Sequence, residues 1–408
     1  MNANPPYPAR PHPLAAALLL LAAALLPACG STRPPQSPES LLQQRAQYDQ
    51  TYLNQTNERY TAILRRNRAQ LDEYKAGRRT NPPVIDFLII SGGGDIGAFG
   101  AGFLKGWAGV PKSEPLARPV FDIVTGVSTG ALIAPFAWLN DPAYDDRVVR
   151  LYRNPRPDWV KERWPLFFLP NNISFAEVPG LERELKESVT AEMIADIAHK
   201  EHEGRLLFVN TTNLDDASAH VFYLVPEARR ALATGDVDRF RQILLASAGI
   251  PGAFPYRQID GAMYVDGAVT ANLLFGGRVP EENRLPALWH RLYPNDPMPR
   301  LRYWVIFNNQ VRPPPTIVRP RWFDIITRSV EVASRSASLN SLRQLFLMAE
   351  VEHLKHDADV EVRYVAVPDD WRPPKPGTFV KETMNNLADL GEKMGADPKS
   401  WISEPPTQ

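Results

Sequence analysis

Ser128 stands between two glycines in the pentapeptide Gly126-Val127-Ser128-Thr129-Gly130. The mostly apolar residues 121–125 before it have the length of a buried strand, and residues 131–139 after it follow a helical pattern. On a tight turn between strand and helix, a serine hydroxyl projects away from the sheet, and small flanking glycines remove the clash that such a turn would create. This context predicts a nucleophile elbow, with Ser128 as the nucleophile of an acyl transfer.

A serine nucleophile needs a base, because its hydroxyl reacts poorly at neutral pH until a neighbour accepts the proton. Asp266 is one candidate, since it follows an apolar pair and precedes Gly267 at the end of a short predicted strand. His353 and His356 are others, because the histidine of a Ser-Asp-His triad also lies late in the chain. The residues alone leave both an aspartate base and a histidine base open.

A glycine-rich turn, residues 91–97, directly follows the apolar run 84–90. Gly92, Gly94 and Gly97 fit the GxGxxG spacing with which dinucleotide-binding proteins hold a pyrophosphate. The same kind of backbone can point amide hydrogens at the oxyanion of an acyl-transfer intermediate. A dinucleotide site also requires an acidic residue at the end of a second strand about twenty residues later, where this chain is instead rich in proline. The oxyanion interpretation is therefore favoured.

The order of four sequence blocks resembles that of the patatin-like phospholipases. The blocks are the glycine-rich turn, the Ser128 turn about thirty residues further on, residues 245–255, and the Asp266 turn. The resemblance covers about residues 84–308. It implies a Ser-Asp dyad without histidine, in which Ser128 is the nucleophile and Asp266 is the general base.

The resemblance also implies the other parts of the reaction. Amides around Gly92, Gly93 and Gly94 would form the oxyanion hole, the substrate would be a lipid or another acyl ester, and no metal or cofactor would take part. Members of the family usually carry Arg or Lys before the last glycine of this turn, whereas this chain has Ile96 preceded by Asp95. That departure keeps a second class of function open, a catalytically weak or inactive lipoprotein that binds lipid or acts as a scaffold.

Residues 1–28 are typical of a lipoprotein signal peptide. Residues 14–26 consist only of leucine and alanine, a run too short to span a bilayer, and Cys29 follows directly after Pro27-Ala28. This junction resembles a bacterial lipobox, which implies cleavage before Cys29, its acylation, and anchoring of the mature chain in the cell envelope, with the outer membrane as the predicted location. Cys29 is the only cysteine in the sequence, so it has no internal disulfide partner. An ordinary cleaved signal peptide is the alternative.

Apolar runs of strand length alternate with helical patterns through the central part of the chain. This alternation predicts an α/β fold with a mostly parallel central sheet, and the resemblance implies the patatin-like three-layer arrangement. The 46 basic and 46 acidic residues balance, so charge does not indicate nucleic acid as a partner. The predicted strands are 84–90, 120–125, 206–209, 220–225, 302–307 and 360–367, and the predicted helices include 131–139, 181–199 and 322–355. The predicted division of the chain is a tether over 29–40, a helical N-terminal extension over 41–80, a catalytic domain over 84–310, and a C-terminal helical extension with one late strand over 311–408.

Overall fold

Residues 36–163, 172–276 and 279–407 are described by a computed structural model. Its strands, numbered in chain order, are β1 (Val84–Ile90), β2 (Ile123–Val127), β3 (Lys161–Glu162), β4 (Ala176–Glu177), β5 (Leu206–Asn213), β6 (Ser218–Tyr223), β7 (Arg257–Ile259), β8 (Ala262–Asp266), β9 (Arg300–Gln310) and β10 (Val360–Val367). Its helices are α1 (Pro38–Lys75), α2 (Gly97–Ala108), α3 (Thr129–Leu139), α4 (Pro142–Arg153), α5 (Pro179–Ser188), α6 (Ala191–His199), α7 (Leu224–Thr234), α8 (Asp238–Ser247), α9 (Leu285–Leu292), α10 (Trp322–His356) and α11 (Lys381–Gly395). None of the helices in these ranges combines the length and the apolar character needed to cross a membrane.

The central sheet joins eight of the strands in the order β10-β9-β1-β2-β5-β8-β7, and β6 also pairs with β5. Strands β10, β9, β1, β2 and β5 are parallel, while β6 and β8 run antiparallel to β5. The register places Ile90 beside Gly126 and Val127 beside Asn210. The segments that follow β1 and β2 therefore meet at one edge of the sheet, called the carboxyl edge below. The predicted α/β fold with a mostly parallel sheet is confirmed.

Strand β1 shows how the sheet divides the core, because its side chains point alternately to the two faces. Leu88 and Ile90 belong to one buried apolar cluster, to which α2, α3, α4 and α11 also contribute. Phe87 and Ile89 belong to the other cluster, which contains buried side chains of α1, α9 and α10. Helices therefore cover both faces of the sheet, as the three-layer arrangement requires.

The N-terminal helix α1 begins at Pro38, within the stretch predicted as a tether. Ser37 and Ser40 exchange hydrogen bonds between side chain and backbone, a capping box that fixes the start of the helix. Ile63 and Leu64 are completely buried against the sheet, so this extension packs on its own domain. The predicted signal peptide, Cys29 and most of the predicted tether lie outside the described residues.

Most predicted strands occur with shifted ends, and one predicted helix is divided. The helical pattern over residues 181–199 forms two helices, because Thr190 adopts an extended conformation and its side chain accepts a hydrogen bond from the Met193 N–H. The predicted late strand is β10, which pairs with β9 and so completes the central sheet.

Candidate active site

Ser128 occupies the turn between β2 and α3. Its φ of 54° and ψ of −124° are rare for a residue with a side chain and are a form of backbone strain that concentrates at functional sites. A Cβ atom on Gly126 would lie 2.3 Å from the Gly130 carbonyl oxygen, and one on Gly130 would lie 2.2 Å from the Ile90 carbonyl oxygen. The turn therefore requires glycine on both sides of the serine and has the geometry expected of a nucleophile elbow.

Asp266, the last residue of β8, directs its carboxylate at Ser128. The Ser128 hydroxyl donates to Asp266 Oδ2 at 2.7 Å, and the Ala268 N–H donates to Oδ1 at 2.8 Å. The backbone of Asp266 is also fixed, since its N–H donates to the Gly249 carbonyl at 2.9 Å and its carbonyl accepts from the Thr212 hydroxyl at 2.9 Å. The fold thus brings two sequence-predicted residues, 138 positions apart, into direct contact.

Burial changes the acidity of this carboxylate. Ser128 is 6% exposed and Asp266 is 4% exposed. Loss of hydration raises the pKa of Asp266 to about 6, while the hydrogen bonds from Ser128 and Ala268 favour the charged form and limit the rise. Asp266 is therefore ionised at neutral pH but binds a proton more readily than an exposed aspartate, which suits a general base.

Ser247 and Asn210 fix the position of the nucleophile elbow through hydrogen bonds. The Ser128 N–H donates to Ser247 Oγ at 3.0 Å, and the Ser247 hydroxyl donates to the Asn210 carbonyl at 2.6 Å. The side-chain amide of Asn210 donates to the Gly267 carbonyl at 2.9 Å. One hydrogen-bonded chain therefore connects the turn that carries Ser128 with the turn that follows Asp266.

The glycine-rich turn packs directly against Ser128. A Cβ atom on Gly92 would lie 2.9 Å from Ser128 Cβ. The Gly92 N–H donates to Asn272 Oδ1 at 2.8 Å, and the side-chain amide of Asn272 donates to Ser338 Oγ on α10 at 2.7 Å. The Gly92 amide is therefore already used within the protein, whereas Gly94 lines the cavity beside Ser128.

Gly93 and Gly94 cannot be replaced without disturbing this turn. A Cβ atom on Gly93 would lie 2.1 Å from the Asn308 carbonyl oxygen, and Gly94 has a φ of 59°, in the left-handed region. The turn therefore approaches β9 more closely than a residue with a side chain would permit. Among the three predicted oxyanion donors, Gly93 and Gly94 fit the role better than Gly92, whose N–H has an acceptor.

The two residues that depart from the family pattern make contacts away from the nucleophile. The Asp95 carboxylate accepts a hydrogen bond from the Phe379 N–H at 3.0 Å, and burial raises the pKa of this carboxyl. Ile96 packs against the apolar cluster that contains Leu88 and Ile90. Asp95 thus ties the glycine-rich turn to the C-terminal part of the chain.

An apolar cavity lies beside Ser128, and Phe379 is one of the residues that line it. The cavity has a volume of about 30 Å³, enough for about two water molecules and too small for an acyl chain. Phe379 has a φ of 58°, and its ring lies 5.9 Å from that of Trp159 and 6.4 Å from that of Phe254. Other lining residues are Thr129, Leu132, Leu151, Tyr152, Leu181, Ala248 and Ile250.

The two late histidines lie far from the nucleophile. His353 Nδ1 is 3.3 Å from the Ala358 carbonyl oxygen, and His356 Nε2 is 3.7 Å from Glu352 Oε2. These contacts occur where α10 leads into the start of β10, at the edge of the sheet opposite the carboxyl edge. The structure therefore gives no support to the histidine-base alternative.

Asn272, Ser247 and Phe379 are site residues that the sequence did not reveal as such. Ser247 lies within residues 245–255, which resemble the family, and that resemblance could have identified it as a site residue. Asn272 follows the Asp266 turn, but its contact with the glycine-rich turn depends on tertiary structure. Phe379 lies outside the part of the chain that resembles the family.

Comparison with known families agrees with this arrangement. Residues 88–277 match the sequence model of the patatin family, described as patatin-like phospholipase, and these residues include Ser128, Asp266 and the glycine-rich turn. Residues 88–277 are therefore similar in sequence to the patatin-like phospholipases.

Other comparisons add less. The sequence matches no curated protein. The chain is similar to VipD from Legionella pneumophila, whose crystal structure aligns with a TM-score of 0.28 and 10% identity over 76% of this chain and 67% of VipD.

Proposed function

We propose that this protein is a serine acyl-ester hydrolase that uses Ser128 and Asp266 as a catalytic dyad. The observation that carries the proposal is the 2.7 Å hydrogen bond from the Ser128 hydroxyl to the buried Asp266 carboxylate. A lipid-binding scaffold would need neither a strained serine nor a base with a raised pKa. The two features together favour an enzyme over the scaffold alternative.

The reaction has two halves. In the first, Ser128 Oγ attacks the acyl carbonyl carbon while its proton passes to Asp266, and the tetrahedral intermediate then collapses as the alcohol leaves with that proton. In the second, Asp266 removes a proton from water, which attacks the acyl-enzyme ester. Collapse of this second intermediate returns the proton to Ser128 Oγ and releases the carboxylic acid. Each half begins and ends with Asp266 ionised.

Both halves place negative charge on the former carbonyl oxygen. Gly93 and Gly94 are the proposed donors to that oxygen, because their turn touches the nucleophile and Gly94 lines the cavity. Backbone amides held rigidly by the protein stabilise such a charge without reorganising during the reaction. The contact between Gly92 and Asn272 holds the turn in place for this purpose.

The proposed substrates are lipid acyl esters. The proposed location of the protein is the cell envelope, at the outer membrane, where an acylated Cys29 would anchor it. The Cys29 junction and the family of residues 88–277 support this part of the proposal. The side chains that line the small cavity beside Ser128 are mostly apolar, as expected where the acyl end of an ester binds.

A series of p-nitrophenyl esters of increasing acyl length tests the proposed activity. Wild-type protein is expected to hydrolyse several members, with an optimum set by the cavity, because the serine, base and oxyanion donors are preformed. The measurement is kcat/KM for each ester. Absence of hydrolysis across the whole series, from a protein with a cooperative thermal unfolding transition, would support the scaffold alternative instead.

Replacing Phe379 with alanine is expected to favour longer acyl chains. The substitution removes a ring that lines the small cavity and so enlarges it. Each added methylene that becomes buried contributes about 1 kcal/mol of discrimination, roughly fivefold in rate. The ratio of kcat/KM for the dodecanoate ester to that for the butanoate ester should therefore rise by about tenfold. Phe346→Ala removes an aromatic ring from α10, where Phe346 packs against Tyr364, and should leave the ratio unchanged. An unchanged ratio in Phe379→Ala would show that Phe379 does not contact the bound acyl chain.

A further inference from the structure

The cavity beside Ser128 is too small for the substrates proposed above. Its volume of about 30 Å³ holds about two water molecules, so an acyl chain enters only after part of the wall has moved. Three of the lining residues, Leu132, Tyr152 and Leu181, lie on α3, α4 and α5. Helices packed into a core resist displacement. The part that moves is therefore expected among the loops that line the cavity.

Residues 376–379, called the strap below, form one of these loops and have few contacts with the rest of the protein. They lie between β10 and α11 and adopt neither helical nor strand conformation. The first three are exposed, and the last, Phe379, lines the cavity. Among the residues that the structure describes, one hydrogen bond holds the strap, from the Phe379 N–H to the Asp95 carboxylate at 3.0 Å. Loss of this bond would free the strap from the glycine-rich turn.

The loop 249–254, which also contributes to the cavity wall, is held by more bonds. The Asp266 N–H donates to the Gly249 carbonyl at 2.9 Å, and the Phe175 N–H donates to the Gly252 carbonyl at 2.7 Å. Segments with few buried contacts and few hydrogen bonds open at the lowest cost in free energy. The strap is therefore expected to open before this loop.

The backbone of the strap is strained in the position that the structure shows. The angle φ is 115° at Gly377 and 58° at Phe379, and the second value is unfavourable for a residue with a side chain. The Phe379 ring offsets part of this strain through its contacts with Trp159 and Phe254. Gly377 lacks a side chain and can change its backbone angles freely, which suits a hinge.

Fixed points bound the strap on both sides. The Thr383 hydroxyl donates to the Lys375 carbonyl at 2.8 Å, and the Lys375 N–H donates to Thr383 Oγ1 at 3.3 Å. Thr383 lies on α11 and is 3% exposed, and α11 begins at Lys381. The strap can therefore move between these two points while α11 keeps its packing.

We propose that Asp95 is a positioning residue that determines acyl selectivity, because its carboxylate holds Phe379 in the cavity wall. Release of the strap from Asp95 enlarges the cavity and admits longer acyl chains to Ser128. Asp95 directly follows Gly94, a proposed oxyanion donor, so one turn carries both the donor and the residue that holds the strap. The inference rests on the proposed function, since acyl selectivity is measured on esters that the protein hydrolyses.

Asp95→Ala should raise the ratio of kcat/KM for the dodecanoate ester to that for the butanoate ester by about tenfold, because a larger fraction of the protein has the strap open. The rise should come mainly from a lower KM for the dodecanoate ester. Asp95→Asn keeps a carbonyl oxygen that can accept from the Phe379 N–H, and its ratio should stay within about threefold of wild type. Asp369→Ala is the matched control, because Asp369 also accepts a backbone bond, from the Arg312 N–H at 2.8 Å, and its ratio should equal that of wild type.

The double variant Asp95→Ala/Phe379→Ala shows whether Asp95 acts through Phe379. Its ratio should lie within about twofold of that of Phe379→Ala, since two changes that release the same ring do not add. Two results would overturn the inference. The effects of the two substitutions could multiply, or Asp95→Ala could lower kcat equally for every ester. Either result would mean that Asp95 supports the oxyanion turn and does not act on the strap.

Hydrogen exchange at the Phe379 amide measures opening of the strap in the wild-type protein. Ser128 is first labelled with dodecanesulfonyl fluoride or with butanesulfonyl fluoride, and exchange is followed by mass spectrometry with fragmentation to single residues. The dodecyl adduct should exchange at this amide at least about tenfold faster than the butyl adduct. An amide that stays equally protected in both adducts would overturn the inference alone. Absence of labelling on the folded protein would remove the proposed function and the inference with it.

Discussion

Replacing Ser128 with alanine is expected to lower kcat/KM for ester hydrolysis by about 10⁴-fold or more. The hydroxyl that attacks the ester is then missing, and no other group can form the acyl-enzyme. Asp266→Asn should lower kcat/KM by about 10³-fold to 10⁴-fold, because the amide cannot accept the proton. Both effects are measured with the best ester of the chain-length series.

Matched variants separate these effects from general damage. Ser341→Ala on α10 and Asp370→Asn after β10 make the same chemical changes at positions away from the site and should keep wild-type kcat/KM. The double variant His353→Ala/His356→Ala should also keep it within about twofold, since surface changes rarely alter a distant site. Loss of activity in the histidine variant, with Asp266→Asn still active, would mean that a histidine is the base.

The pH dependence of activity should follow the ionisation of Asp266. Its pKa is raised from 3.8 to about 6, so kcat/KM should stay level above about pH 7 and fall about tenfold for each unit below about pH 6. The rate is measured by chromatography of the released acid, because p-nitrophenol absorbs weakly in acid. A profile that stays level down to about pH 5 would show that the base has an ordinary aspartate pKa and is not this buried carboxylate.

The same carboxylate should reduce stability as it ionises. In the folded protein its pKa lies above the unfolded value, so the folded state binds the proton more tightly and loses relative stability as pH rises from about 3.8 through about 6. A shift of about two units corresponds to up to about 3 kcal/mol. The free energy of unfolding of Asp266→Asn, measured with urea, should therefore not show this decrease. Its difference from the wild-type value should grow between about pH 4 and pH 8. An equal pH dependence in both proteins would show that the carboxyl does not remain buried when charged.

The nucleophile and its turn could be predicted from sequence because their signals are local. Gly126 and Gly130 flank Ser128 within five residues, and the contacts of their backbones explain why glycine is required there. Asp266 has no such local signature, since Asp-Gly turns are common. Its assignment depended on the order of blocks along the chain, and the hydrogen bond to Ser128 supplies the missing contact.

Other features could not be predicted because they depend on distant contacts. The bond between Gly92 and Asn272 joins residues 180 positions apart, and nothing in the glycine pattern shows which amide would be engaged. Residues 181–199 have one helical period throughout, yet the cap formed by Thr190 divides them. Phe379 lines the cavity, and its N–H donates to the carboxylate of Asp95, 284 positions earlier in the chain.

The N- and C-terminal extensions are integral to the fold. Helices α1 and α10 supply much of the layer on one face of the sheet, and β9 and β10 extend the sheet beside β1. All four elements lie outside residues 88–277, so the matched residues alone lack the part of this core that these elements supply. Helix α10 also reaches the active site, because Ser338 accepts a hydrogen bond from Asn272.

Covalent labelling of the intact protein with a fluorophosphonate tests whether Ser128 is the nucleophile. We expect Ser128 Oγ to displace fluoride, so that mass spectrometry finds one adduct on the peptide containing Ser128. Asp266→Asn should label far more slowly. No adduct on the folded wild-type protein, or an adduct on a different serine, would contradict the assignment of Ser128 as the nucleophile.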